Sequence, residues 1–232
     1  MRKFSAIAAV TVAAVGVVAT SCESKKSVKL TTDMDSVSYA IGVSTGASYK
    51  ENLKTIPGGE ANVDALIAGF SEAVKGEKTS MTPEEAQAFM QTYFVQAAQK
   101  EADATKIEGE KFLEENKGKP GVITTESGLQ YKVETEGKGA QPKATDKVKV
   151  HYTGKLLDGT VFDSSVERGE PAVFGVDQVI PGWTEALQLM PVGSKYILWI
   201  PANLAYGERG AGRDIKPNST LQFEVELIDI EK

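Results

Sequence analysis

After Pro83 the chain runs to Asn116 without another proline and with one glycine, Gly109. Thr82-Pro83-Glu84-Glu85 opens this run with an N-cap, a proline at the first helical position and a capping-box glutamate. Gly118, Pro120 and Gly121 close it. The run predicts one helix over 83–116, roughly 50 Å long at about 1.5 Å per residue. Its first half carries Ala86, Phe89, Met90, Tyr93, Phe94 and Ala97 on one side. Its second half, from Lys100 to Glu115, is mostly charged. The apolar half needs a covering surface, and a second copy of the chain is the natural one. The charged half reads as a rigid spacer. A compact monomeric bundle is the alternative.

The chain changes texture on either side of this helix's end. Residues 33–117 form the helical part. Ser36 to about Leu53 is a helix candidate, with Val37, Ala40 and Ile41 at helical spacing. Asn62 caps a clearer helix, in which Val63, Leu66, Ile67, Phe70 and Val74 make one apolar stripe and Gly76 is the stop. Residues 118–232 form a second domain, with strands and glycine turns from about residue 126. Leu129, Tyr131 and Val133 alternate, as do Val148, Val150 and Tyr152. Asp158-Gly159 is a hairpin turn before Val161-Phe162. Tyr196 to Ile200 is an apolar run, and Leu221, Phe223, Val225 and Leu227 alternate again. One short helix fits between Gly182 and Met190. The fold class is α+β: an all-helical N-terminal domain, then about five antiparallel strands wrapped around a short helix.

Residues 1–21 read as an export signal. Arg2 and Lys3 precede the apolar, small-residue stretch Phe4–Ala19, too short for a stable membrane span. Ala19-Thr20-Ser21-Cys22 resembles a bacterial lipoprotein processing site, with Ala19 where leucine is preferred. Cys22 is the only cysteine, so no intramolecular disulfide can form, and lipidation would account for a lone exported thiol. Acylated Cys22 would anchor the chain to a membrane, with the polar stretch 22–32 as a flexible tether.

Several chemistries are excluded. His151 is the only histidine, and its alternation with Val150 and Tyr152 reads as a strand position. No cluster suggests a zinc site. Gly207–Gly212 is glycine-rich but lacks the strand-to-helix context of a phosphate cradle. A net charge of −6 argues against nucleic acid as a partner. An enzyme built on this chain would need neither nucleophile, metal nor cofactor.

What the second domain does contain is a series of aromatic and apolar motifs near turns. Val150-His151-Tyr152-Thr153-Gly154, Asp158-Gly159-Thr160-Val161-Phe162-Asp163-Ser164-Ser165, Val179-Ile180-Pro181-Gly182-Trp183 and Leu204-Ala205-Tyr206-Gly207 follow in order, and Pro217–Leu227 completes them. Together they resemble the successive signatures of FKBP-type peptidyl-prolyl cis-trans isomerases. Asp35–Gly42 and the helix from Pro83 resemble the N-terminal domain of the Mip and FkpA subgroup, exported bacterial isomerases.

The resemblance implies a pocket of Tyr152, Phe162, Asp163, Ile180, Trp183, Tyr206 and Phe223 as catalytic positions, with Phe174, Val179 and Ile215 in substrate binding. Trp183 would be the floor, and Phe162, Tyr152 and Phe223 the walls. The Ile180 N–H and the Tyr206 hydroxyl would hold substrate carbonyls, and Asp163 would orient a tyrosine hydroxyl. It also implies proline-containing client proteins, a homodimer through residues 33–100, and a place in the envelope of a Gram-negative-type bacterium, on the outer membrane facing the periplasm. Ala172 follows Pro171 where many members carry an aromatic, and Ala211-Gly212-Arg213-Asp214 departs from the usual loop. These departures bear on macrolide-type inhibitors more than on catalysis. Two other functions compete: a holdase chaperone whose helical dimer cradles unfolded chains, and a surface lipoprotein that binds a host or matrix partner.

Overall fold

The computed structural model describes residues 28–231. The export signal, Cys22 and most of the tether lie outside these residues. The chain divides between Ile56 and Pro57 into two compact units.

The described part of the first unit is one helix, α1 (Asp33–Leu53). It begins three residues before the position that apolar spacing suggests, because Thr32 and Asp35 form a capping box. None of its residues is buried.

The second unit opens with α2 (Val63–Lys75), capped by Asn62 and ended by Gly76 at φ 68. Helix α3 (Pro83–Asn116) carries the Thr82–Glu85 capping box and runs unbroken for 34 residues. The apolar stripes of α2 and of the first half of α3 are exposed, including Phe70, Phe89 and Phe94.

The second half of α3, read from its charge as a rigid spacer, packs against the sheet domain. Ala102, Gly109 and Asn116 are buried. They recur every seven residues, so they share one face of the helix. Gly109 lies so close to Thr220 that a Cβ there would collide with its hydroxyl. Asn116 Nδ2 donates to Gln130 Oε1 at 2.9 Å, and Gln130 Nε2 donates to the Leu113 carbonyl at 2.8 Å. The seam consists of small and polar residues, so no hydrophobic periodicity announces it.

The sheet has seven strands: β1 (Val122–Thr124), β2 (Gln130–Thr135), β3 (Lys147–Lys155), β4 (Val161–Ser164), β5 (Ala172–Gly175), β6 (Lys195–Ile200) and β7 (Leu221–Glu231). Every pairing is antiparallel, in the order β1-β2-β6-β7-β3-β4, with β5 also on β3. The sequence suggests about five strands. Segments of three or four residues such as β1 and β5 are too short to display a period. Helix α5 (Pro181–Leu189) buries Trp183, Ala186 and Leu187 in a core shared with Val150, Leu198, Leu221 and Val225. A four-residue helix, α4 (Ser165–Arg168), separates β4 from β5.

The outer edge of β3 is divided, with β4 pairing Thr153–Lys155 and β5 pairing Lys147–Val150. Ser165 fills the gap: its hydroxyl accepts the Tyr152 N–H at 2.8 Å and lies 3.1 Å from His151 Nδ1. A buried backbone donor needs such a partner. The buried Ser165 and the half-buried His151 thus complete the edge of β3.

Candidate active site

Residues on one face of β3 alternate into the core: Val148, Val150, Tyr152 and Gly154 are buried. Gly154 stands opposite Phe223 on β7 and Asp163 on β4. A Cβ at Gly154 would meet the Phe162 ring at 2.6 Å and the Phe223 ring at 2.8 Å. A glycine at this position therefore lets two aromatic side chains from different strands converge. Phe162 and Phe223 meet edge to face, with centroids 5.6 Å apart.

Trp183 lies beneath them, 4% exposed. Pro181 sits in the first turn of α5, where its fixed φ suits helix initiation and its missing N–H costs no intrahelical bond. Gly182 packs against Ile200, leaving no room for a Cβ. Both features seat the start of α5 on β6. The indole then meets Tyr152 at 5.2 Å, Phe223 at 5.3 Å and Phe174 at 5.8 Å, each nearly perpendicular. Edge-to-face pairs of this kind contribute about 0.5–1.5 kcal/mol each beyond area burial. Among the described residues the Trp183 Nε1 has no hydrogen-bond partner.

These rings enclose a cavity of about 420 Å³ lined by Tyr152, Phe162, Asp163, Phe174, Gln178, Val179, Ile180, Trp183, Tyr206 and Phe223. Nine of the ten positions that the family resemblance implies are thus brought together. The tenth, Ile215, is not among the lining residues. It is 8% exposed, belongs to the core cluster, and exchanges backbone hydrogen bonds with Ala211 instead of lining the cavity. Gln178 lines the cavity and was not anticipated. Ala172, on β5, pairs with Val150 of β3 and is absent from the lining.

One edge of the cavity is polar and charged. The Tyr152 hydroxyl donates to Asp163 Oδ2, and Arg168 Nη1 donates to Asp163 Oδ1. Arg168 Nη2 also reaches the Tyr152 oxygen at 3.1 Å, and the guanidinium stands 5.6 Å over the Tyr152 ring. Burial pushes the Tyr152 phenol up, and the Asp163 carboxylate adds to this, so the phenol stays protonated. Partial burial pushes the Asp163 carboxyl up. Hydrogen bonds from Tyr152 and Arg168, with the guanidinium charge, together outweigh it and hold Asp163 below its ordinary value. Arg168 was missed in the sequence. Its signal was local: Ser164 and Gly169 cap the α4 turn, and that turn aims Arg168 back at the strand.

Two groups at the rim remain free to bind. Among the described residues no acceptor takes the Ile180 N–H, while the Ile180 carbonyl caps α5 by accepting from Trp183 and Thr184. The Tyr206 side chain is 40% exposed. The arrangement is an apolar floor and walls with a few convergent hydrogen-bonding groups, which suits a small apolar ring flanked by carbonyls.

The fold and this cavity define a proline isomerase class, and comparison with known proteins agrees. Residues 138–228 match the family described as FKBP-type peptidyl-prolyl cis-trans isomerase, and residues 34–133 match the domain amino terminal to it. The chain belongs to the FKBP-type peptidyl-prolyl cis-trans isomerases and is an enzyme of that activity. It is 51% identical over 197 residues to the FKBP-type 22 kDa peptidyl-prolyl cis-trans isomerase of Escherichia coli strain K12, covering 83% of this chain and 93% of that one. It is 44% identical over 210 residues to the outer membrane protein MIP of Legionella longbeachae, covering 88% of each. The crystal structure of FkpA from Escherichia coli superposes with a TM-score of 0.72 at 37% identity, over 88% of this chain and 99% of that one.

Proposed function

We propose that this isomerase acts on X–Pro bonds of folding proteins in a bacterial envelope, and that the aromatic cavity is where it does so. The observation that carries the site is the apolar Trp183 floor with its Phe162 and Phe223 walls, beside an Ile180 N–H that is unpaired among the described residues and an exposed Tyr206. X–Pro bonds have isomers within about 1 kcal/mol of each other but exchange over tens to hundreds of seconds. The barrier, about 18–20 kcal/mol, arises from amide resonance. The planar amide is more dipolar than the twisted transition state. An apolar cavity that removes water from the bond therefore favours the twisted form. In this reading the prolyl ring rests on Trp183 between Phe162, Tyr152 and Phe223. Ile180 N–H and Tyr206 hold the flanking carbonyls, converting binding energy into the twisted geometry. Asp163 and Arg168 fix the Tyr152 hydroxyl. Phe174, Val179 and Gln178 complete the cavity. No proton is transferred.

The test is a protease-coupled proline-peptide assay on residues 23–232. Acceleration of the slow phase is expected, and the uncatalysed rate would refute the reading.

The anchor and the dimer belong to the same proposal. Lipidated Cys22 would tether the enzyme to the outer membrane, facing the periplasm. No helix among the described residues is long and apolar enough to cross a membrane. Retention of Cys22→Ser in the membrane fraction would count against the anchor. The exposed apolar residues of α2 and of the first half of α3 support a homodimer through residues 33–100. The same surface favours a second reading, in which the helical domain shields unfolded clients. Suppression of client aggregation by residues 23–117 alone would support it.

A further inference from the structure

The Tyr206 turn separates two cavities. On one side Tyr206 lines the aromatic cavity. On the other, Gly207 and Glu208 line a cleft of about 330 Å³ whose far wall is α3, through Lys106, Glu110 and Leu113. The segment beyond Tyr206 is a closed loop. Ala211 and Ile215 bond each other's backbones within it, and the Asn218 N–H returns to the Gly207 carbonyl at 2.8 Å. Asn218 sits at φ 62, the left-handed conformation that asparagine tolerates better than most residues. That geometry leaves its side chain free to reach α3, where Nδ2 donates to the Ala102 carbonyl at 3.3 Å. Two residues on, Thr220 abuts Gly109. The Lys216–Glu101 ion pair, at 2.7 Å, crosses the same seam but is exposed and adds little.

One residue therefore ties the chain immediately after Tyr206 to the buried face of α3. We propose that Asn218 is a positioning residue for Tyr206, and that the second half of α3 is part of the active-site scaffold. Gly109, Ala102 and Asn218 make up the joint. A displacement of α3 is then transmitted to the Tyr206 hydroxyl, which lets the helical domain tune catalysis. This inference rests on Tyr206 holding substrate.

The test is a double-mutant cycle on residues 23–232, read as kcat/KM with proline peptides. Asn218→Gly keeps the left-handed backbone while removing the amide. We expect it to lower kcat/KM about fivefold, the factor that one hydrogen bond's net contribution corresponds to. Tyr206→Phe should lower activity by itself, and adding Asn218→Gly to it should have no further effect. Gly109→Val, which wedges the seam from the helix side, should behave in the same way. If that variant fails to fold, Asn218→Gly decides alone. Wild-type activity in Asn218→Gly, or an equal loss in the Tyr206→Phe background, would overturn the proposal while leaving the pocket intact. Full activity of Tyr206→Phe would overturn both this proposal and the reading of the rim.

Discussion

A carboxylate beside an apolar cavity persists only if its charge is compensated, and Asp163 has two compensating partners in Tyr152 and Arg168. Its folded pKa lies below the ordinary 3.8. A depressed carboxyl contributes stability that is fully present above the ordinary value and is lost as pH falls through the lowered one. Asp163→Asn should therefore be less stable than the native enzyme at neutral pH, and the gap should narrow as pH falls below the ordinary carboxyl value and through the lowered one. Urea unfolding at a series of pH values measures this. A gap unchanged at low pH would mean that the charge does not matter. Asp163 itself was legible from its motif. Arg168 was not, because an arginine five residues away on a solvent-facing turn has the same appearance as any other surface cation until the turn is folded.

Among the elements, α5 carries the most sharply placed side chain. Trp183 reaches the cavity floor because Gly182 lets the helix approach Ile200. Gly182→Ala would push the first turn of α5 off β6. We expect a loss of about 1–3 kcal/mol in unfolding free energy, the usual range for overpacking, together with a fall in activity. Near-native stability and activity in this variant would show that α5 is not held by that contact. The helices were legible wherever a cap coincided with a period, as at Thr82 and Asn62. Helix α1 shows the limit of period alone, since its start is set by the Thr32–Asp35 capping box. The α3 seam was illegible for a different reason. Ala102, Gly109 and Asn116 share no hydrophobicity, and only proximity to Thr220 and Gln130 makes them a face. The burial of Ile215 was not legible in the sequence, because it depends on how the 207–218 loop closes and not on order along the chain.

At the scale of the whole molecule, the apolar surface on α2 and the first half of α3 exceeds what scattered surface residues would leave exposed. Phe70, Phe89 and Phe94 are over 40% exposed in the single chain. Residues 23–232 should sediment as a dimer at micromolar concentration, and Phe70→Glu with Phe94→Glu should sediment as a monomer that keeps isomerase activity on short peptides. A native monomer would contradict the dimer without touching the enzyme. Catalysis in the aromatic cavity is best tested at Phe162. Phe162 is only partly buried, so its truncation opens the wall with less damage than removing Trp183, which should cost about 3–5 kcal/mol. The measurement is kcat/KM of the folded Phe162→Ala variant in the protease-coupled proline-peptide assay. A fall of about tenfold or more is expected, equivalent to ~1.4 kcal/mol or more of transition-state stabilisation. A folded variant with full activity would place the chemistry somewhere other than this cavity.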